Sequence, residues 1–416
     1  MIDRLQRAAF AYFDKATHPG NGLVADTSRT GSPASIAVVG FALSAYPVAV
    51  ERGWIEREAA VQRCLAALRF FSGSDQTGSV DSTGYRGFYF HFLDLGSGRR
   101  AWQSELSSID TALLIVGMLT AAAFFDATTA AETELRERAD ALYRRVDWRW
   151  AQHQDATVSL GWKPECGFLN YAWQGYNEAI VLYALGLGSP THPLTDASFE
   201  AWTATYQWEN LYGHDFLYAG ALFIHQFSHA WIDLRGIRDR FMREKDCDYF
   251  ENTRRAIKVQ REYAIRNPLS FNGYGADCWG LSAGDGPSVD PQRVAGRRQA
   301  FYGYASRGVP WGPDDGTING SSCVASLAFA PDIALPALRK MFQRIPDGHG
   351  KSLRVSGFNA TAGAGGWLSE GEFGLDQGMI VLMIENFRSG LLWRLGRSIA
   401  CLRLGLKRAG FMNGWL

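Results

Sequence analysis

The stretch ELSSIDTALLIVGMLTAAAFF, residues 105–125, decides the fold. From Ala112 to Phe125 it is apolar on nearly every helical face. A helix that meets water keeps a polar face, so one that is apolar all round is enclosed by protein. The apolar run falls short of the ~18 residues of a membrane span, so it reads as a core helix. Glu105 stands just before it and Asp110 lies in its first turns. A carboxylate entering such surroundings must be paired, hydrogen-bonded or shifted in pKa. One reading is that both acids complement the positive end of the helix dipole. The other is that they do chemistry.

Working outward, apolar residues recur at helical spacing over about 1–16, 34–51, 57–71, 106–125, 131–150, 176–187, 196–209, 218–235, 250–266, 321–344, 376–388 and 390–409. No series of alternating strands accompanies them. The helices fall into pairs joined by Gly-, Pro- and Ser-rich loops such as GSDQTGSVDSTGYRG and ADCWGLSAGDGPSVDPQ. None of these loops has the character of an interdomain linker, so residues 1–416 are expected to form a single domain. Paired helices suggest a solenoid or a closed ring. A solenoid should repeat every ~34–47 residues, and no repeat is seen. The expectation is therefore an all-α protein, an (α/α)6 toroid of inner and outer helices, with long loops building a pocket at one end.

Composition narrows the function. Lys+Arg and Asp+Glu are both 42 in 416 residues, with 47% hydrophobic and 20% charged residues. This balance excludes disorder as the main state and gives no electrostatic reason to expect nucleic acid or an acidic membrane as partner. Residues 1–16, MIDRLQRAAFAYFDKA, read as an amphipathic helix, without the basic stretch and apolar core of a signal peptide. The expectation is a cytoplasmic protein, or a periplasmic one if a leader has been removed. The six cysteines are scattered without a CxxC, which argues against a disulfide framework or a thiolate zinc site. Aromatic residues reach 13%, and Trp and Tyr rings suit sugar faces as well as cores.

Three further segments place polar groups among apolar ones. In GWKPECGFLNYAWQGYNEAIVLYALGLGSP, Glu178 opens another apolar helix behind Trp173 and Tyr176, while Glu165 reads as a solvated loop acid. In FIHQFSHAWIDLRG, His225 and His229 share a helix face. Gln226 stands where HExxH has its Glu, and no third ligand is marked, so a zinc site is not expected. Asp233 and Arg235 follow, either as a structural pair or as partners of a polar ligand. In WLSEGEFGLDQGMIVLMIENFRSG, Asp376 and Gln377 occupy the first turn of a third apolar helix. Glu385 and Arg388 are spaced for an ion pair. GLSAG (280–284) matches a nucleophile elbow only formally, because no strand precedes it. GHGKS (348–352) lacks the first glycine of a P-loop, Ile345 standing in its place.

Taken in order, HPGNGLVADTSR, PASIAVVGFAL, GFYFHFLD, SELSSIDTALL, GYNEAIVLYALGLGSPTHP, HQFSHAWIDLRG, WGLSAGDGP and GLDQGMIVLMIENFRSGL resemble the glycoamylase-like family over about residues 5–412. That family contains bacterial endo-β-1,2-glucanases (glycoside hydrolase family 144 and relatives) and transglycosylating domains of cyclic β-1,2-glucan synthases. The resemblance implies an (α/α)6 toroid and a β-1,2-glucan-like oligo- or polysaccharide substrate. VSGFNATAGAGGW (355–367) departs from it, being glycine-rich where relatives carry an aspartate and aromatics, which bears on the subsites.

Glycoside hydrolysis needs a proton donor and a base or nucleophile on opposite sides of the scissile bond. Glu178, Asp110 and Glu105 are the catalytic candidates. Glu178 is the expected acid because its aromatic setting should keep it protonated. Asp110 or Glu105 would activate water, directly or through a substrate hydroxyl, with inversion as the expected course. His225, His229, Asp233, Arg235, Tyr176 and Asp376, with Trp173, Trp231 and Trp279 as stacking faces, are the candidates for holding sugar. No step calls for a metal or organic cofactor. Transglycosylation, phosphorolysis and non-catalytic sugar binding on the same fold are the alternatives.

Overall fold

The computed structural model describes residues 1–153, 156–288, 290–294, 296–343, 351–362 and 365–416. Ile345 and the Gly348–Gly350 part of the P-loop-like match lie outside the described residues, as do position 344 and two residues of the glycine-rich 355–367 loop.

Among the described residues six helices are mostly buried: Ile36–Glu51, Ser108–Phe124, Ile180–Gly188, Leu222–Gln226, Gly320–Ala325 and Gly374–Arg388. They follow one another in a ring. Ile36–Glu51 packs on Ser108–Phe124, which packs on Ile180–Gly188. The next junction is made by the Ser228 hydroxyl, which donates to Glu178 O at 2.7 Å and accepts from Val181 N at 3.2 Å. Leu222–Gln226 then packs on Gly320–Ala325, that helix on Gly374–Arg388, and Gly374–Arg388 back on Ile36–Glu51. The longer helices of this ring, Ile36–Glu51, Ser108–Phe124, Ile180–Gly188 and Gly374–Arg388, are apolar on nearly every face because little of them is left to water.

The outer helices bury one face each. Ile2–Ala16, for instance, turns Leu5, Ala9, Phe10 and Phe13 inward against Gly374–Arg388. Arg57–Gly73, Ala130–Arg145, Tyr249–Arg266, Pro331–Gln343 and Ala400–Arg408 complete this layer. The result is the α/α toroid. Two crossings are exceptionally close. A Cβ on Gly117 would meet Gly40 O at 2.2 Å, and one on Gly405 would meet Ala184 O at 1.7 Å. Only glycine lets these backbones approach so nearly. Among the described residues no helix is long and apolar enough to cross a membrane.

Several helices are shorter than their periodicity suggests. The stretch 196–209 is helical only over Ser198–Thr203, and Trp208–Leu211 then pairs with His214–Leu217 as a hairpin. Tyr212 and Gly213 both adopt positive φ, 53° and 82°, which makes the tight two-residue turn. Glu178 lies two residues before Ile180–Gly188 rather than within it. Pro331 starts a new helix inside 321–344. The loops carry paired strands of two to four residues, which stiffen the end of the ring where the inner helices begin.

Candidate active site

A cavity of about 540 Å³ opens at that end. Five carboxylates line it: Asp26, Glu105, Asp110, Glu178 and Asp376. Each is delivered by a segment that begins an inner helix. Asp110 lies in the first turn of Ser108–Phe124, where Ser107 caps the helix by accepting from Asp110 N at 3.2 Å. The Ser107 hydroxyl also donates to Asp110 Oδ2 at 2.5 Å. Glu105 precedes the strand Leu106–Ser107, which pairs with Gly161–Lys163. Asp376 opens Gly374–Arg388 and accepts from Ser321 Oγ at 2.5 Å and Asn319 Nδ2 at 3.0 Å. Asp26 stands before Ile36–Glu51, with its carbonyl bonded to Gly374 N at 2.8 Å.

The electrostatics are uneven. Glu178 is half-buried, and loss of water raises its pKa to about 7; its own backbone N–H opposes the rise and the Asp110 charge adds to it. Asp26 is pushed up to about 6, chiefly by burial. Asp376 is also raised by burial, against the hydrogen bonds from Ser321, Asn319 and Ser356. Glu105 is lowered, because His91 hydrogen-bonds it. His91 Nδ1 lies 3.0 Å from Glu105 Oε1, and its Nε2 lies 3.5 Å from Asp110 Oδ2. The cavity therefore sets carboxyls of raised pKa, Glu178 at about 7, Asp26 at about 6 and Asp376 with them, beside Glu105, whose pKa is lowered.

Its walls offer flat apolar faces. Trp173 lines the cavity and is fixed by a 2.9 Å hydrogen bond from Nε1 to Ser108 Oγ. Phe92, Phe223, Phe227, Tyr304 and Phe373 line it as well, and Tyr304 stacks on Phe373 with centroids 6.2 Å apart. Arg29 bridges to Asp285 and lies over the Phe373 ring, 5.1 Å from its centroid.

The residues singled out in the sequence divide. Glu105, Asp110, Glu178, Trp173 and Asp376 come together in the cavity. His225, His229, Asp233, Arg235, Tyr176, Trp231 and Trp279 do not line it. His225 is buried and donates from Nε2 to Ala219 O at 3.1 Å, and burial lowers its pKa to about 4. His229 is buried against Phe329, with Nε2 3.3 Å from Thr253 Oγ1 and a pKa lowered by burial to about 3. Asp233 is buried between Arg235 and Arg397. The Arg235 guanidinium also covers the Trp393 ring, 4.2 Å from its centroid. Tyr176 packs among Tyr206, His225 and Tyr249. Trp231 is core and donates to Ser44 Oγ at 2.7 Å, and Trp279 is fully buried. Placed outside the cavity, these seven are held instead by packing, with hydrogen bonds or ion pairs to other residues for all but Trp279. Glu165 is bound by Arg100 at 2.6 Å, and Glu385 pairs with Arg52 rather than with Arg388.

His91, Asp26, Gln226 and Tyr304 line the cavity without having been singled out. The only local signal for His91 is a basic ring inside the otherwise aromatic run FYFHF.

The family model Glycoamylase, described as "Putative glucoamylase", matches residues 170–400. The exo beta-1,2-glucooligosaccharide sophorohydrolase (non-reducing end) of Parabacteroides distasonis is 26% identical over 447 aligned positions, covering 98% of this chain and 57% of that protein. The chain thus spans little more than half the length of that curated relative. A solved Bacteroides uniformis protein with the same description as the family superposes with a TM-score of 0.87 at 28% identity, covering 100% of this chain and 98% of the other. The endo-beta-1,2-glucanase of Chitinophaga pinensis, solved with sophorotriose and glucose, gives 0.85 at 26% identity, with 100% and 98% covered.

Proposed function

We propose, for a chain that belongs to the Glycoamylase family, that it is a glycoside hydrolase cleaving β-1,2-linked glucan, with Glu178 as the proton donor. The observation that carries this reading is the Glu178 carboxyl, held at a pKa of about 7 in a cavity otherwise lined by carboxylates and ring faces. A general acid works best when its pKa lies near the operating pH. The activities of the Parabacteroides and Chitinophaga relatives support the linkage.

In this mechanism the glucan enters along the Trp173 and Phe373 faces, where apolar ring surface meets the C–H faces of the sugars. Glu178 protonates the departing glycosidic oxygen. Asp110, with Glu105 behind it, takes a proton from the attacking water, directly or through a sugar hydroxyl, and the anomeric carbon inverts. A second reading gives the role of base to Asp376. In the order of the ring the Glu178 helix is third and the Asp376 helix sixth, so these two acids start from opposite sides of the ring, which supports this reading.

The test is the rate of β-1,2-glucan cleavage by E178Q, D110N and D376N, with the anomer of the first product followed by NMR. Near wild-type turnover in E178Q would remove it as the acid. A β-anomer would exclude inversion. The larger loss between D110N and D376N identifies the base.

A further inference from the structure

We propose that His91 is a positioning residue of this site: its ring, clamped between Glu105 and Asp110, fixes the Asp110 carboxylate for reaction. The proposal rests on the hydrolase reading of the cavity given above.

Both ring nitrogens face carboxylate oxygens, at 3.0 Å on the Glu105 side and 3.5 Å on the Asp110 side. A neutral imidazole has one N–H and one lone pair, so one of these contacts would set a lone pair against an anion. The doubly protonated ring satisfies both. The ring has little freedom. It stacks on Phe92 with centroids 4.0 Å apart and planes 13° apart. His91 N donates to Glu105 O at 2.9 Å, and His91 O accepts from Ile36 N at 3.2 Å. His91 thus ties the segment carrying Glu105 to the start of the Ile36–Glu51 helix.

Asp110 receives the benefit. Its Oδ2 lies 3.5 Å from His91 Nε2 and also accepts the Ser107 hydroxyl, so an ion pair and a hydrogen bond from different segments hold the carboxylate in place. The charged groups around the imidazole are Asp26, Glu105 and Asp110, with Lys163 acting on Glu105. Burial alone would lower the His91 pKa, but Asp110, Glu105 and Asp26 outweigh it and hold the ring at about 9. A single fixed cation among three acids keeps Glu105 ionised and restrains the rise of Asp26.

The imidazole titration of the whole chain, followed by ¹⁵N NMR, tests this without turnover. The His91 resonances are assigned by their loss in H91Q, or from Glu105-dependent shifts if H91Q does not fold. The expected midpoint is about 9, falling by at least about 1 pH unit in E105Q. A midpoint near the ordinary histidine value overturns the proposal.

Kinetics on β-1,2-glucan supply the second readout. H91Q should lose about 30-fold in kcat with KM within about threefold, and the acid limb of its kcat/KM profile should move upward. H91K, which keeps the charge but not the two-sided contact, should restore the acid limb without restoring kcat. A loss confined to KM with an unmoved pH profile overturns the positioning role. A high His91 midpoint in a wild-type protein inert towards the glucan overturns the hydrolase reading instead, so the two failures are distinguishable.

Discussion

Asp376 and Glu385 are carried by one helix, both are buried, and the protein treats them in opposite ways. Burial pushes both carboxyls up. At Glu385 this is outweighed by Arg52, which donates from Nε at 2.8 Å and Nη2 at 2.6 Å, and by donors from Ser389 and Gln6, so its pKa ends low. Asp376 receives only neutral donors, and its pKa stays raised. The difference extends to the surroundings. Away from the cavity, Asp233 is held by two arginines. At the mouth, His91 is the cation in contact with the carboxylates. Among the described residues arginines pair with the buried carboxylates Glu385 and Asp233 but with none of the five that line the cavity, so the scaffold fixes charge in its core and leaves the carboxyls of its mouth free to shift.

The comparison can be broken most sharply at Glu178. E178Q should lose about 10³-fold in kcat, as expected for removal of a general acid. It should also gain stability above pH 7. A carboxyl whose folded pKa is raised to about 7 favours the folded state fully below its unfolded value and loses that contribution as pH rises through 7. Relieving the buried charge is worth at most about 3 kcal/mol at pH 8, read from urea unfolding. A variant that is both inactive and less stable at pH 8 would contradict the idea that the mouth is held at a cost.

E385Q should behave in the opposite sense. Breaking its pair with Arg52 should cost about 2–3 kcal/mol, below the range for fully buried pairs because Arg52 is partly in water. The folded fraction should keep its kcat. Here the sign of the pH dependence reverses: a lowered carboxyl contributes stability above its unfolded pKa and loses it as pH falls, so E385Q should flatten the acid side of the stability curve.

S321A removes one of three donors on Asp376 and should raise that carboxyl further, with about a tenfold loss of activity concentrated on the acid limb. W173F deletes the bond to Ser108 but keeps most of the ring face. About a threefold rise in KM with an unchanged pH profile is expected, measured on oligosaccharides of defined length.

Much of the architecture could be read along the chain because its signal is local. Residues 112–125 are apolar on every face, which already makes their helix an inner one, and acids just before such helices point to a shared mouth. Asp110, Glu178 and Asp376 were found that way. His91 was not, because its role depends on Glu105, which meets it only through the pairing of separate loop segments. His225 and His229 misled for a related reason. Their spacing suits one helix face, but the α-helix stops at Gln226 and passes into a 3-10 turn, and both rings turn towards Thr253 and Asn252. Spacing tells which residues lie together, not which neighbour covers them. The hairpin at 208–217 escaped because Tyr212, a residue with no special liking for positive φ, shares the turn with Gly213.

The glycine contact between Ala400–Arg408 and Ile180–Gly188 lies directly behind the segment that carries Glu178. The helix that follows Glu178 is backed by Ala400–Arg408, and a methyl group at position 405 would prise the two apart. A substitution at position 405 would therefore reach the mouth from behind, without touching any residue that lines the cavity.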